Sequence, residues 1–441
     1  VSARRSKLGR DFWLYFCGQA ISQLGSSFTA FALPLLVFKL SHSATNLALT
    51  MAANFIPYLL FGLVLGAVVD RVDRKRMMAT VDLARGGVIA LLPVLYLAGH
   101  LAIWHIYAVA FVQSTLGILF DCGEFAAIPS LVPDRELVTA NGRIMATNSA
   151  GQVLGPVLAG ALVVLMSVAN LLFVDAASFA VSTLTLVAIR SSFNQAEEDR
   201  PDAADAAAAE EPASALRRLR QDVKEGLRYV WHNPVLRSIS IMMALINFVS
   251  TTEYAQLVLF AKRALSATDT QTALLFAAGS AGVVIVSLSA GAIRRRLSFA
   301  VTALGALVVS GLATTAMAAT RWYPAALVFW AAASGFGLLL NINTGALRQA
   351  IVPSSMYGRV ISIAGVLAWS ANPLGALAGA VAINLTHNVA AVYAATGLLT
   401  AAIAAGFAFS PIREGDRYIA EAAEAKAAKV AAQAAAAALG G

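Results

Sequence analysis

Apolar runs of about twenty residues recur roughly every thirty positions along the chain, separated by short polar turns. A run of that length crosses about 30 Å of bilayer hydrocarbon as a helix rising about 1.5 Å per residue. The pattern predicts twelve spans, the first six near 12–38, 46–69, 77–98, 103–129, 143–165 and 168–189. Six more fall near 237–261, 271–292, 298–319, 323–347, 359–384 and 389–410. The long polar interval between the sixth and seventh begins acidic and alanine-rich, AEEDRPDAADAAAAEEP at 196–212, which reads as a solvated linker. It then turns basic, with Leu216, Leu219, Val223, Leu227 and Val230 at helical spacing, the pattern of a helix lying on a membrane surface. The expected organisation is an N-terminal bundle over 1–190, a linker with a surface helix over 191–236, a C-terminal bundle over 237–411, and an alanine-rich tail over 412–441.

Composition agrees with an all-α membrane protein: 13% of residues are charged and 59% are hydrophobic, against about 25% and about 45–50% in soluble domains. Lys and Arg are distributed unevenly. On the side of the N-terminus there are 27, whereas the opposite side holds Lys39, Lys262, Arg263 and Arg321, with Arg85 inside a span. This asymmetry predicts both termini in the cytoplasm of a bacterial inner membrane, with no cleaved leader before the first span. It also accounts for the formal charge of +8 as a topology signal beside anionic lipid, so no nucleic-acid partner is expected. Cys17 and Cys122 both fall in spans and are expected as small buried residues rather than a disulfide. The five histidines make no metal-ligand spacing, and no phosphate-binding loop or nucleophile with a base is present; neither metal, cofactor nor enzymatic activity is expected.

The halves echo one another. IPSLVP at 128–133 matches RQAIVPSS at 348–355, NGRI at 141–144 matches YGRV at 357–360, and GQVLGPVLAGA at 151–161 matches SANPLGALAGA at 370–380. An offset near 220 residues implies two six-helix bundles related by duplication, a transporter architecture with its site between the halves.

The densest charge cluster, from Asp70 to Arg76, interrupts the turn between the second and third spans. Positive-inside bias explains its Arg and Lys residues but not its two aspartates. Here the chain resembles the major facilitator superfamily, whose loop reads Gly-x-x-x-Asp-Arg-x-Gly-Arg-Arg or Lys. Gly66, Asp70, Arg71, Arg74 and Lys75 fit, and Asp73 stands at the second glycine. The resemblance implies a cytoplasmic gate in which Asp70 faces the start of the eleventh helix, where Arg359 lies. The fifth span matches Gly-x-x-x-Gly-Pro-x-x-Gly-Gly through Gly151, Gly155, Pro156 and Gly160, a pattern that the family associates with antiporting exporters. The layout is most similar to its macrolide-efflux and enterobactin-exporter branch, and it implies a cavity lined by the first, fourth, seventh and tenth helices.

Charges within spans are costly, about 2.5–3.5 kcal/mol at a helix centre, and so are functional candidates. Asp121 and Glu124 share a face of the fourth span, Glu253 lies deep in the seventh, and Asn341 stands at the position equivalent to Asp121. Removing an acid from water favours its neutral form, so such a group can carry a proton between states. Gln19, Gln23, Asn247 and Asn343 are candidates for hydrogen bonds to substrate or between helices. Asp82 and Arg85, three apart, read as a structural pair, and Asp175 as an acid reaching the outer interface. The function expected is a monomeric, lipid-embedded exporter of amphipathic small molecules, driven by protons or sodium. A lipid or lysolipid flippase, an importer, and a non-transporting receptor or scaffold are the alternatives.

Overall fold

The computed structural model describes residues 8–69, 72–133, 136–193 and 224–421, with 424. Asp70, Arg71, the acidic linker, most of the tail and the side chain of Arg359 lie outside the described residues.

The chain runs through α1 (Arg10–Ser41), α2 (Ala44–Val69), α3 (Arg74–Leu97), α4 (Ile103–Leu131), α5 (Leu137–Leu162) and α6 (Leu171–Ala188). After the linker come α7 (Pro234–Ala255), α8 (Leu257–Arg263), α9 (Asp269–Arg296), α10 (Phe299–Ala319), α11 (Tyr323–Ile351), α12 (Ser354–Trp369), α13 (Ala371–Thr386) and α14 (Val389–Phe407). Among the described residues there is no strand, and eleven helical stretches are long and apolar enough to cross a membrane. The remaining predicted span, α5, is a helix of 26 residues whose first half is polar.

Local chemistry sets the ends. Asp73, at the family's second glycine, is the N-cap of α3 and accepts from the Arg76 amide at 3.0 Å, a contact of a type that contributes about 1 kcal/mol. α1 stops at His42, which takes a left-handed backbone with φ of 49° and returns its amide to the Phe38 carbonyl. Two predicted spans are broken rather than continuous. The seventh is interrupted at Gln256, where ψ of 9° ends α7 and the buried side chain leaves the helix to donate to the Ala44 carbonyl at 2.8 Å. The eleventh is interrupted at Ser370, between α12 and α13.

The chain forms two compact units: Val1–Glu211 with Tyr254–Ala278 and Ala376–Val389, and Pro212–Glu253 with Gly279–Gly375 and Ala390–Gly441. In the first, Phe12, Tyr15, Met78, Phe120, Leu186 and Phe193 form a buried core at the end where α1 begins. In the second, Val235, Met242, Phe299, Leu307, Leu340 and Leu347 do so. Lipid is as apolar as leucine, so helix association depends on close packing and hydrogen bonds between helices. Two glycines show the close packing. A Cβ at Gly155 of α5 would collide with Ser27 of α1, and one at Gly375 of α13 would collide with the Phe248 backbone of α7. The fifth helix packs on the first, and its counterpart packs on the seventh, as the duplication requires.

The 224–232 stretch of the predicted surface helix is helical, and its Val230 is buried with Leu236, Val352 and Val360. Leu216, Leu219 and Val223 lie outside the described residues. Cys17 is exposed and Cys122 half-buried, against the expectation that both are buried; a thiol is small and only weakly polar, so packing does not force it inside.

Candidate functional site

In the first unit, α4 presents Asp121, which is exposed, and Glu124, which is half-buried. Tyr15 of α1 is fully buried and faces Glu124, with its hydroxyl in no completed hydrogen bond. Asp82 of α3 is fully buried and accepts from the Ser182 hydroxyl of α6 through Oδ2. Ser182 accepts in turn from Gln19 Nε2 of α1 at 2.9 Å. Arg85 Nη1 lies 3.8 Å from Asp82 Oδ1, and Nε donates to Gln113 Oε1 of α4 at 3.4 Å. Gln113 Nε2 returns to the Arg85 carbonyl at 2.8 Å, and the guanidinium stands 4.4 Å from the Phe179 ring centre. One polar string thus joins α1, α3, α4 and α6.

Asp175 departs from its expected place at the interface. It is 2% exposed and accepts from Thr29 of α1 and from Ser178 Oγ at 3.2 Å. The seam is that tight because Gly25 of α1 sits against Ser178 and Asp175. Gln23 is half-buried beside Gly151, and its carbonyl takes the Ser27 hydroxyl at 2.8 Å. The glycine face of α5 continues past the buried Pro156 to Gly160, which lies against Ala273 of α9.

In the second unit, Glu253 of α7 is buried inside the bundle. Thr314 of α10 donates to Oε2 at 3.1 Å, Tyr393 of α14 donates to the Glu253 carbonyl, and Thr396 of α14 donates to the Tyr393 carbonyl at 2.9 Å. Asn247 is half-buried and donates to the Ala368 carbonyl at 2.9 Å. Asn343 is buried and donates to Leu339 of its own helix at 2.7 Å, whereas Asn341 is exposed. Asp121 and Asn341, paired by the repeat offset, are each exposed on their own unit.

At the end of the first unit where α1 stops, Asp269 of α9 joins two lysines. Lys39 of α1 contacts Oδ2, and Lys262 of α8 donates to Oδ1 at 2.6 Å. Around them Arg263 donates to the His42 carbonyl at 2.7 Å and Asn384 to the Thr45 hydroxyl at 2.8 Å. Sequence reasoning did not single out Asp269, although it is the lone acid in the loops predicted on that side.

At the opposite end, Asp11 of α1 accepts from the amides of Arg190 and Ser191 at 3.1 and 2.9 Å and from the Ser191 hydroxyl at 2.6 Å. Lys75 of α3 donates to the Ile189 carbonyl, and Ser130 of α4 donates to the Phe193 carbonyl at 3.2 Å. Lys75, expected in the gate, therefore caps α6 within its own unit. Arg74 is buried, and Gly66 lies within α2. The proposed contact of Asp70 with the start of α12 involves Asp70 and the Arg359 side chain, both outside the described residues. Among the described residues, no group of His, Cys, Asp or Glu is placed to hold a metal.

Comparison with known proteins sets this arrangement among transporters. The chain is 28% identical to multidrug efflux pump Tap of Mycolicibacterium fortuitum over 361 residues, covering 80% of this chain and 84% of that protein. It is 26% identical to macrolide efflux protein A of Streptococcus pyogenes over 180 residues, 41% of this chain and 44% of that protein. Its fold is similar to that of a bacterial homologue of the human lysosomal transporter Spinster, with a TM-score of 0.68, 12% identity, and coverage of 93% and 97% of the two chains. It is likewise similar to a bacterial homologue of the iron transporter ferroportin, with a TM-score of 0.65, 16% identity, and coverage of 92% and 100%. The Major Facilitator Superfamily model matches residues 15–298, and the chain, a multi-pass helical membrane protein, belongs to that superfamily.

Proposed function

We propose that this protein is a secondary exporter that drives amphipathic small molecules out of a bacterial cell in exchange for protons, by alternating access. The observation that carries the reading is the acidic interior of the first unit. Asp121 and Glu124 stand in an apolar helix, one exposed and one half-buried, and Asp82 and Asp175 are buried on α3 and α6. A structural ion pair needs one acid for each base, and a set this rich in acids supports proton binding. Likeness to efflux proteins over four-fifths of the chain supports export, as does the glycine face of α5.

In this reading both termini face the cytoplasm of the inner membrane, and the Asp269 cluster closes the outer end. Substrate is held mainly by apolar and aromatic walls with few polar anchors, Asn341 among them. The protein acts as a monomer surrounded by lipid.

The test is accumulation by everted vesicles of ethidium, erythromycin, a catecholate siderophore and lysophosphatidylglycerol, with a proton gradient, a sodium gradient or neither. Proton-dependent uptake of the dye or the macrolide is the expected result. Movement of none under any gradient refutes export, and gradient-independent movement of the lysolipid alone replaces it with flipping.

A further inference from the structure

We infer that Asp82 is a proton-binding site of the first unit and that Arg85 is a cation it shares with Asp121. The inference rests on the proton-exchange reading above and deepens it, because spacing along the helix by itself assigns this pair a purely structural role.

The acids within the spans of the first unit are Asp82, Asp121, Glu124 and Asp175, and Arg85 stands between two of them, its Nη1 3.8 Å from Asp82 Oδ1 and its guanidinium 6.0 Å from the ring of Phe120, the chain neighbour of Asp121 on α4. The other described basic residues of α1 and α3 stand near their ends. One guanidinium neutralises one carboxylate at a time, and a buried carboxylate without a counterion is costly.

Geometry distinguishes the acids. Asp175 is held by the Thr29 and Ser178 hydroxyls and needs no cation for its hydrogen bonds. Asp82 has the Ser182 hydroxyl on Oδ2, whereas Oδ1 is buried with no hydrogen-bond partner. That oxygen is where a proton would sit. Arg85, which would otherwise satisfy it, is loosely held: 3.8 Å from Asp82 and 3.4 Å from Gln113, with aromatic rings at 4.4 and 6.0 Å. The neighbouring bonds that fix the backbone and Gln19 are ordinary, at 2.8 and 2.9 Å. A guanidinium with only long contacts can turn from one acid to the other. Protonation of Asp82 at Oδ1 removes one negative charge and frees Arg85 for Asp121; loss of that proton draws the guanidinium back. The titratable groups facing Asp82 are Tyr15 of α1, Glu124 of α4 and Asp175 of α6, with Arg85 on its own helix, so among the described residues no second base competes for the role.

Difference infrared spectroscopy of the full chain in liposomes, between two pH values, reads the C=O stretch of protonated carboxyls without any substrate. The wild-type band should contain a component that Asp82→Asn removes and Asp82→Glu retains at a shifted frequency. Its midpoint should move by at least threefold in proton concentration when Asp121→Asn is introduced, and Arg85→Gln should abolish that dependence. A band unchanged by Asp82→Asn overturns the proposal, and so does an Asp82 component indifferent to Asp121. If Asp82→Asn does not fold, Ser182→Ala, which removes the donor on Oδ2, must shift the same component; no shift is equally fatal. Ethidium uptake by everted vesicles is measured alongside. Uptake indifferent to the proton gradient defeats the exchange reading while leaving the Asp82 band in place, so the two failures are distinguishable.

Discussion

If the Asp269 cluster holds the outer end shut, removing its charge should shift the protein toward the state open to the outside. In Asp269→Asn the amide keeps the side chain's shape and loses both lysine attractions. Asp269 is 24% exposed, Lys262 17% and Lys39 45%, so both pairs are partly screened. Pairs of this kind contribute about 0.2–1 kcal/mol each, and together about 1–2 kcal/mol for the less exposed arrangement here. At about 1.4 kcal/mol per factor of ten, the population open to the outside should rise about 5- to 30-fold. The reporter is Thr272→Cys, a near-isosteric change at a fully buried site one turn inside α9, in a background carrying Cys17→Ser and Cys122→Ser. Its rate of reaction with a membrane-impermeant thiol reagent in right-side-out vesicles should rise by the same factor at low salt. The increase should shrink at high salt, because the wild-type attraction is then screened already. A rate within twofold of the parent at low salt would show that the backbone contacts of Gln256 and Arg263 hold this end without help from charge.

Asp121→Asn should lower proton-driven ethidium accumulation in everted vesicles at least about tenfold, the effect of roughly 1.4 kcal/mol of lost coupling, while downhill ethidium exchange persists; an unchanged gradient dependence removes Asp121 from coupling. Gly155→Val should overpack the α1–α5 contact at a cost of about 1–3 kcal/mol and lower the melting temperature in detergent. Gly142→Ala, where a Cβ meets nothing within 4 Å, is its neutral control. Asp11→Ala removes three hydrogen bonds from the 190–191 segment, so trypsin should cut at Arg190 about 5- to 30-fold faster for about 1–2 kcal/mol lost. Unchanged cleavage would mean that Lys75 and Ser130 hold the segment alone.

The helical layout was legible because a bilayer imposes one length on every apolar run. The break at Gln256 was not, since a glutamine in such a run is compatible with an unbroken helix, and only its reach to the Ala44 carbonyl reveals the interruption. Asp82 and Arg85 were legible as neighbours on one helix. Their connection through Ser182 to Gln19 joins residues 163 positions apart in sequence and depends on tertiary packing. Position along α6 alone puts Asp175 near the outer interface, whereas its burial comes from close packing against a glycine on α1. Asp73 shows the reverse: the family's glycine is missing, yet an aspartate before a helix is an ordinary N-cap, and the turn forms with it.

Two buried acids outside the polar string, one in each unit, show what packing asks of a buried carboxylate. In the first unit the Asp175 carboxylate on α6 accepts the hydroxyl of Thr29 on α1; in the second, the Glu253 carboxylate on α7 accepts the hydroxyl of Thr314 on α10, and Tyr393 on α14 donates to the Glu253 backbone carbonyl. At the repeat offset of 220, Asp175 falls opposite Ala395 and Glu253 opposite Leu33, so each half buries an acid at a position where the other half has none. What the packing demands is a carboxylate and hydroxyl donors facing each other across a helix contact. Comparison of the repeats position by position therefore finds Asp121 and Asn341, where the residue type is polar in both, and misses Asp175 and Glu253, where the chemistry is shared by a pair of helices and belongs to no single column of the alignment.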